Sequence, residues 1–381
     1  MRLAEAEAVY RQSHRADTGA APLDALHGAV DDARVSRLRS LRLLLLLGSA
    51  AMSLGVSEWI WRRVAEFEYR GRLKEFQHGM VESTPDEPWL YGLHPNLDFV
   101  ENITQPEGSP PVEVRYRTNA DGFRHHEAWP PRMDDQAVRI LFVSDSYAFG
   151  LGVQDGEPFP YVVESELRAH GIDAVAINTG VPGYNSEQQY ARLPSLLERY
   201  RPRVCVIGYV MNDAEPISFV PMPPREAYRH CWFWLFEDAK PLLNRVAMLI
   251  VDDRPLFASS KPSDSKDYPE GFLPGSPKWP ASRAALVGMH HLCRERGVLM
   301  LVAILPDFTR SFDDTYPLVV IHESVVNLGA AEGFPVLDLF PAVRGLDSRK
   351  LFVPGDGHPN AQGQRLLGEG IARRVLELLR G

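Results

Sequence analysis

The chain has 381 residues, enough for one large domain or two ordinary ones. With 45% hydrophobic and 24% charged residues it is globular rather than disordered, and its net charge of −9 argues against a nucleic-acid partner, which needs concentrated basic surface. The three cysteines, Cys205, Cys231 and Cys293, lack metal-ligand spacing and leave the redox compartment open.

Residues 1–36 are rich in Ala, Arg and Asp and predict a mobile or loosely helical tail, which we extend to residue 42. Residues 43–61 follow, nineteen positions whose only charge is Glu58. At about 1.5 Å per residue that run approaches the roughly 30 Å of a bilayer core. Trp59 and Trp61 suit an interface, and Arg62 and Arg63 close the run, so residues 43–63 predict a membrane anchor. A buried core helix is the competing reading, but unbroken leucine at 43–47 has no nearby partner segment. A cleaved signal peptide is disfavoured because more than forty residues precede the run. Basic residues flank both ends, Arg34, Arg37, Arg39 and Arg42 against Arg62, Arg63, Arg70, Arg72 and Lys74, so charge does not orient it.

Residues 64–136 predict a small β-rich extension. Its first part, 64–78, mixes charged and apolar residues and can simply continue the helix; prolines punctuate 85–95 around Trp89 and Tyr91. Val112, Val114 and Tyr116 alternate with charged residues at the period of a half-exposed strand, and a turn follows at Asn119-Ala120-Asp121-Gly122-Phe123-Arg124.

From residue 137 strands and helices alternate. Apolar runs predict strands at 139–143, 174–177, 204–209, 298–304 and 335–339, and helices at 159–170, 186–200, 282–296 and 361–379. Such alternation implies an α/β domain, 137–381, with a parallel sheet covered on both faces. Cys205 falls inside a predicted core strand and reads as a small buried hydrophobe. In the last helix Leu367, Ile371, Val375 and Leu378 recur at three- and four-residue steps, with Asn360 placed to cap it. Residues 214–280 break the rhythm with many prolines and an aromatic cluster, Trp232, Phe233, Trp234 and Phe236. We expect an insertion over the site. Its tryptophans either stack on sugar rings or an acyl group, or fill a local apolar cluster.

Four stretches carry chemistry. Ser144-Asp145-Ser146 ends the first core strand, which places Ser146 at the carboxyl edge of the sheet, where open α/β folds bind ligands. A serine there is more often a helix cap. The second stretch runs from Asn178 through Gly183 to Ser186, the third is Gly208-Tyr209-Val210-Met211-Asn212-Asp213, and the fourth is Asp356-Gly357-His358-Pro359-Asn360. Serine, glycine, asparagine and histidine, in that order and each at a strand end or loop, resemble the four blocks of the SGNH (GDSL-type) hydrolase family over residues 137–381. The Asn-x-x-Gly-Phe-Arg turn before the serine block likewise looks like the N-terminal extension of anchored bacterial members. The resemblance implies a three-layer α/β/α, flavodoxin-like fold behind a transmembrane helix and the β-rich extension.

It also implies roles. Ser146 is the expected nucleophile, weak until a base takes its proton. His358 is the expected base, with Asp356 holding its other ring nitrogen. The oxyanion donors by the family pattern are the N–H of Ser146, the N–H of Gly183 and the side-chain amide of Asn212. Asn212 also reads as a plain turn residue. Two departures stand out: Asp356 precedes His358 by two residues where the family more often has three, and Ser144 replaces the glycine that usually opens the first block. Serine fits that position if its backbone lies in the β region, which we expect. No Gly-x-Ser-x-Gly surrounds Ser146, so an α/β-hydrolase elbow is unsupported. His125-His126 and His290-His291 are adjacent pairs rather than spaced ligands, and no phosphate or dinucleotide loop appears, so no metal or cofactor is expected.

Taken together these features predict a membrane-anchored serine esterase whose substrate is an acylated small molecule or polysaccharide, most simply an O-acetyl ester of the cell envelope. The catalytic domain is expected in the periplasm or outside the cell, by resemblance and not by charge. An O-acetyltransferase on the same scaffold, a non-catalytic glycan-binding or assembly protein, and a lipid-directed lysophospholipase are the alternatives.

Overall fold

The computed structural model describes residues 23–75, 79–84, 86–103, 111–125, 137–215, 234–236, 238–240, 268–272, 276 and 278–381. The chain divides into two compact units, residues 1–64 with 231–259, and residues 65–230 with 260–381.

Helix α1 (Leu23–Glu75) opens the described chain. Within it Arg37–Gly71 is long and apolar enough to cross a membrane, and Leu43 to Leu47 are exposed. Glu58, the single charge within residues 43–61, is only 7% exposed. The Glu58 carboxylate accepts from the Trp234 and Leu235 amides at 2.8 and 3.0 Å and from Arg62 Nε at 2.8 Å. Trp234 is buried beneath the Arg62 guanidinium, so it fills a local cluster and is not free to stack on a sugar. Trp232, Phe233 and most of the 214–280 insertion lie outside the described residues.

In the second unit two small antiparallel ribbons come first. β1 (Val81–Ser83) pairs with β2 (Tyr91–Leu93), and β3 (Asp98–Ile103) pairs with β4 (Val112–Arg117). Only β4 is predicted from alternation. The main sheet follows: β5 (Val138–Val143), a single-turn helix α2 (Ser146–Phe149), α3 (Phe159–Ala169), β6 (Ala174–Asn178), α4 (Ser186–Tyr200), β7 (Val204–Tyr209), α5 (Lys278–Glu295), β8 (Leu299–Ile304), α6 (Val319–Glu332), β9 (Val336–Asp338), the short α7 (Phe340–Val343) and α8 (Ala361–Arg380). Every pair in the five-stranded sheet is parallel, in the order β6-β5-β7-β8-β9.

That order places the site. From β5 the chain crosses to one edge through α3, and from β6 it returns past β5 to β7 through α4. The crevice between the carboxyl ends of β5 and β7 is the switch point at which open α/β sheets bind ligands. Val143 lies opposite Ile207 there, so both strands deliver their next residues to one place. α3 and α8 pack on each other, while α4 packs on α5 and α5 on α6. The sheet strands are continuous apolar runs because both faces are covered. In α8 Leu367, Ile371 and Val375 are fully buried; each such side chain contributes about 1.5–3 kcal/mol relative to exposure.

Candidate active site

Ser146 occupies the first position of α2. Asp145 caps that helix, its Oδ1 accepting from Tyr147 N at 3.0 Å. Apolar β5 ends one residue too early to include Ser144, and the cap turns the chain so that Ser146 faces the crevice.

From the far end of the chain His358 reaches the same point. Its Nε2 lies 2.8 Å from Ser146 Oγ, and its Nδ1 lies 2.9 Å from Asp356 Oδ2. A carboxylate can only accept, so Nδ1 carries the proton and Nε2 is left with a lone pair for the serine hydroxyl. The two-residue spacing is accommodated by a tight turn in which Val353 O accepts from both Asp356 N and Gly357 N, while Val353 N donates to His358 O at 2.8 Å. The carboxylate and imidazole are thereby held on one side of the loop.

The Asn212 loop follows β7. Asp213 fastens it by accepting from Val210 N, Ser186 Oγ and Gln189 Nε2. Asn212 lies close enough for its side-chain amide to favour the charged form of the buried Asp145 carboxylate, while its Oδ1 is buried without a hydrogen-bond partner. An amide nitrogen carries two hydrogens, which leaves Asn212 able to donate to a ligand. The Gly183 loop follows β6 alongside the end of β5, with Thr179 N donating to Phe142 O at 3.0 Å and Val181 N to Ser144 O at 3.2 Å. Gly183 has φ +79°, a conformation that L side chains rarely take and that leaves its N–H unshielded by a Cβ.

The electrostatics favour a basic histidine. Burial pushes the His358 pKa down, but the Asp356 hydrogen bond and charge, with the charges of Asp145 and Glu101, outweigh it, and the net shift is upward. Asp145 is raised by burial, an effect moderated by the Tyr147 amide, His358, Asn212 and Ser146. Asp213 is raised further, by burial and then by the nearby Asp145 charge.

Ser146, His358 and Asp356 are thus joined in one hydrogen-bonded series, and the loops that carry Gly183 and Asn212 follow the strands on either side of β5. A model of the GDSL-like lipase/acylhydrolase family matches residues 145–366, from Asp145 to a point in α8. The chain belongs to this family. Among relatives, an arylesterase of Vibrio mimicus is 29% identical over 75 residues, and the esterase TesA of Pseudomonas aeruginosa 31% over 77 residues. Each alignment covers 20% of this chain and 38% of the relative's length. A crystal structure of TesA superposes with a TM-score of 0.40 at 18% identity, over 62% of this chain and 97% of that one.

As a GDSL-like protein the chain keeps its departure at Ser144. The described non-glycine residues with positive φ are Leu90, Asn96 and Arg201, so Ser144 needs no glycine conformation. Its buried hydroxyl donates to Gly208 O at 2.7 Å and ties β5 to β7 beneath the site. Gly208 is small for a matching reason: a Cβ there would sit 2.6 Å from Ser144 Oγ. Gln364 escapes sequence reasoning as well. Fully buried in α8, it donates to Tyr147 O at 3.0 Å and accepts from Phe159 N at 2.9 Å, bracing α2. A glutamine on the apolar face of the last helix is the signal that could have found it.

Proposed function

We propose that the chain is a membrane-anchored serine esterase that hydrolyses an acyl ester, most simply an O-acetyl group on a carbohydrate or other envelope substrate. The observation that carries this reading is the unbroken hydrogen-bonded series Ser146, His358, Asp356. In this mechanism His358 Nε2 takes the hydroxyl proton as Ser146 Oγ attacks the ester carbonyl, and Asp356 stabilises the imidazolium. The Ser146 and Gly183 N–H groups and the Asn212 amide receive the oxyanion; each such donor is commonly worth about 100- to 1,000-fold in rate. Imidazolium returns its proton to the leaving alcohol, an acyl-serine forms, and water activated by the same histidine releases the acid. α1 anchors the chain in the bilayer, with the hydrolase domain in the periplasm or outside the cell.

The test uses the full chain in detergent, wild type against Ser146→Ala. Hydrolysis of p-nitrophenyl acetate and labelling by a fluorophosphonate are both expected in wild type and absent in the variant. A wild type that neither hydrolyses nor labels would sink the esterase reading. Labelling with scarcely any hydrolysis would move it to acyl transfer.

A further inference from the structure

Residues 79–125 precede the family match, and their packing points to a role in the site. One buried cluster joins Tyr91 and Tyr116 of the extension to Phe149, Val181, Tyr184 and Val353. Phe149 ends the helix that begins at Ser146. Val181 and Tyr184 bracket Gly183, and Val353 is the anchor of the turn that carries Asp356 and His358. A single apolar cluster therefore touches three of the four loops, those of Ser146, Gly183 and His358.

Around Gly183 the hold is polar and directional. The Tyr91 hydroxyl donates to Pro182 O at 2.9 Å, and the Tyr184 hydroxyl donates to Tyr91 O. Their rings meet edge to face with centroids 5.0 Å apart, and Tyr91 is fully buried. Pro182 C=O and Gly183 N–H belong to one peptide unit, which is planar and trans, so they point in opposite directions. Fixing the carbonyl fixes the aim of the N–H. The turn around it, closed by Tyr184 N on Val181 O at 3.2 Å with Pro182 and positive-φ Gly183 at its centre, already favours this orientation, and the Tyr91 bond narrows the range over which the peptide can rock. Accepting a hydrogen bond at the oxygen also polarises the N–H on the other side.

We propose that the extension is the frame on which the Ser146, Gly183 and His358 loops are preorganised, and that Tyr91 is a positioning residue that aims the Gly183 N–H at the oxyanion. The proposal rests on the esterase reading above. Tyr91→Phe keeps the ring and removes the hydroxyl, with its bond to Pro182 O and its meeting with the Gln188 side chain. In the full chain in detergent, its kcat on p-nitrophenyl acetate falls about 10- to 100-fold, less than the loss of a whole oxyanion donor, with KM within twofold. Fluorophosphonate titration at completion labels the wild-type fraction of molecules, only more slowly. Tyr184→Phe, which loosens β2 from the other side of Gly183, gives a smaller fall of the same kind and serves where Tyr91→Phe does not accumulate. Wild-type kcat per labelled site in these variants would overturn the proposal, whether or not the labelled fraction drops, since the hydroxyl would then serve folding alone. A wild type that does not label at all would instead sink the esterase reading and this proposal with it.

Discussion

Replacing Arg124 by methionine tests whether the extension and the serine loop are one structure. The Arg124 side chain is fully buried. Its guanidinium donates to Phe149 O at 3.0 Å, Gly150 O at 2.5 Å and Val153 O at 2.7 Å, with Asp155 Oδ1 at 3.4 Å. It lies over the rings of Tyr116 and Phe149 at 4.8 and 5.3 Å. Methionine preserves the apolar stem but strands these acceptors; Gly150 O keeps only a 3.4 Å bond from Val153 N, and Asp155 keeps Arg117. A buried acceptor that loses its donor costs about 1–3 kcal/mol. Removing the guanidinium also ends its own desolvation cost, so the net loss should be about 3–5 kcal/mol. At about 2.1 cal/mol/K per residue over roughly 290 residues, a loss of about 4 kcal/mol lowers the melting temperature by about 7 °C. Thermal unfolding followed by circular dichroism measures this directly. Arg124→Lys should recover little, because a single ammonium nitrogen does not reproduce the planar two-nitrogen fork that spans these carbonyls. A melting temperature within 1 °C of wild type for Arg124→Met would refute the reasoning.

Three further outcomes follow from the site. The base must be neutral to accept the serine proton, and the His358 pKa is raised, so kcat/KM should climb with pH to a midpoint above the ordinary histidine value of about 6.5; a pH–rate profile centred below that value would contradict the assignment of the carboxylates around it. Asp356→Asn should move this midpoint down and lower kcat by about 100- to 10,000-fold, because an amide can donate to Nδ1 and favour the wrong tautomer; the smaller figure suits a carboxylate whose side chain is 38% exposed and which water can partly replace. Gly208→Ala should destabilise by about 1–3 kcal/mol through its clash with Ser144 Oγ, and Ser144→Gly in the same chain should restore most of that loss, as read from a double-mutant cycle of melting temperatures.

The sheet was legible because its strands are buried on both faces: the predicted runs 174–177 and 204–209 meet β6 and β7 within a residue. Helix α6 was not predicted. Its Val319-Val320-Ile321 and Val325-Val326 are β-branched and read poorly as helix, and packing overrides that preference. α5 begins four residues before its predicted start because Pro280 is tolerated in a first helical turn. β1, β2 and β3 were hidden by their brevity, by the surrounding prolines, or by weak alternation. Ser146, Gly183, Asn212 and His358 were visible as blocks of residue types. What holds them was not. Tyr91 acts on a carbonyl 91 positions away and Gln364 on one 217 positions away, and neither distance leaves a local pattern to read.

Ser146 and His358 stand 212 positions apart. Chains lengthen at about 5–20 residues per second, so roughly 10–40 s separate synthesis of the serine from synthesis of the histidine. Throughout that interval the nascent serine has no base and is as inert as any other alcohol. On the esterase reading, a strand bearing Ser146 can therefore emerge and settle into its sheet without attacking esters on the way. On that reading reactivity waits for the His358 loop to close on Ser146, which a chain stalled before residue 358 cannot do.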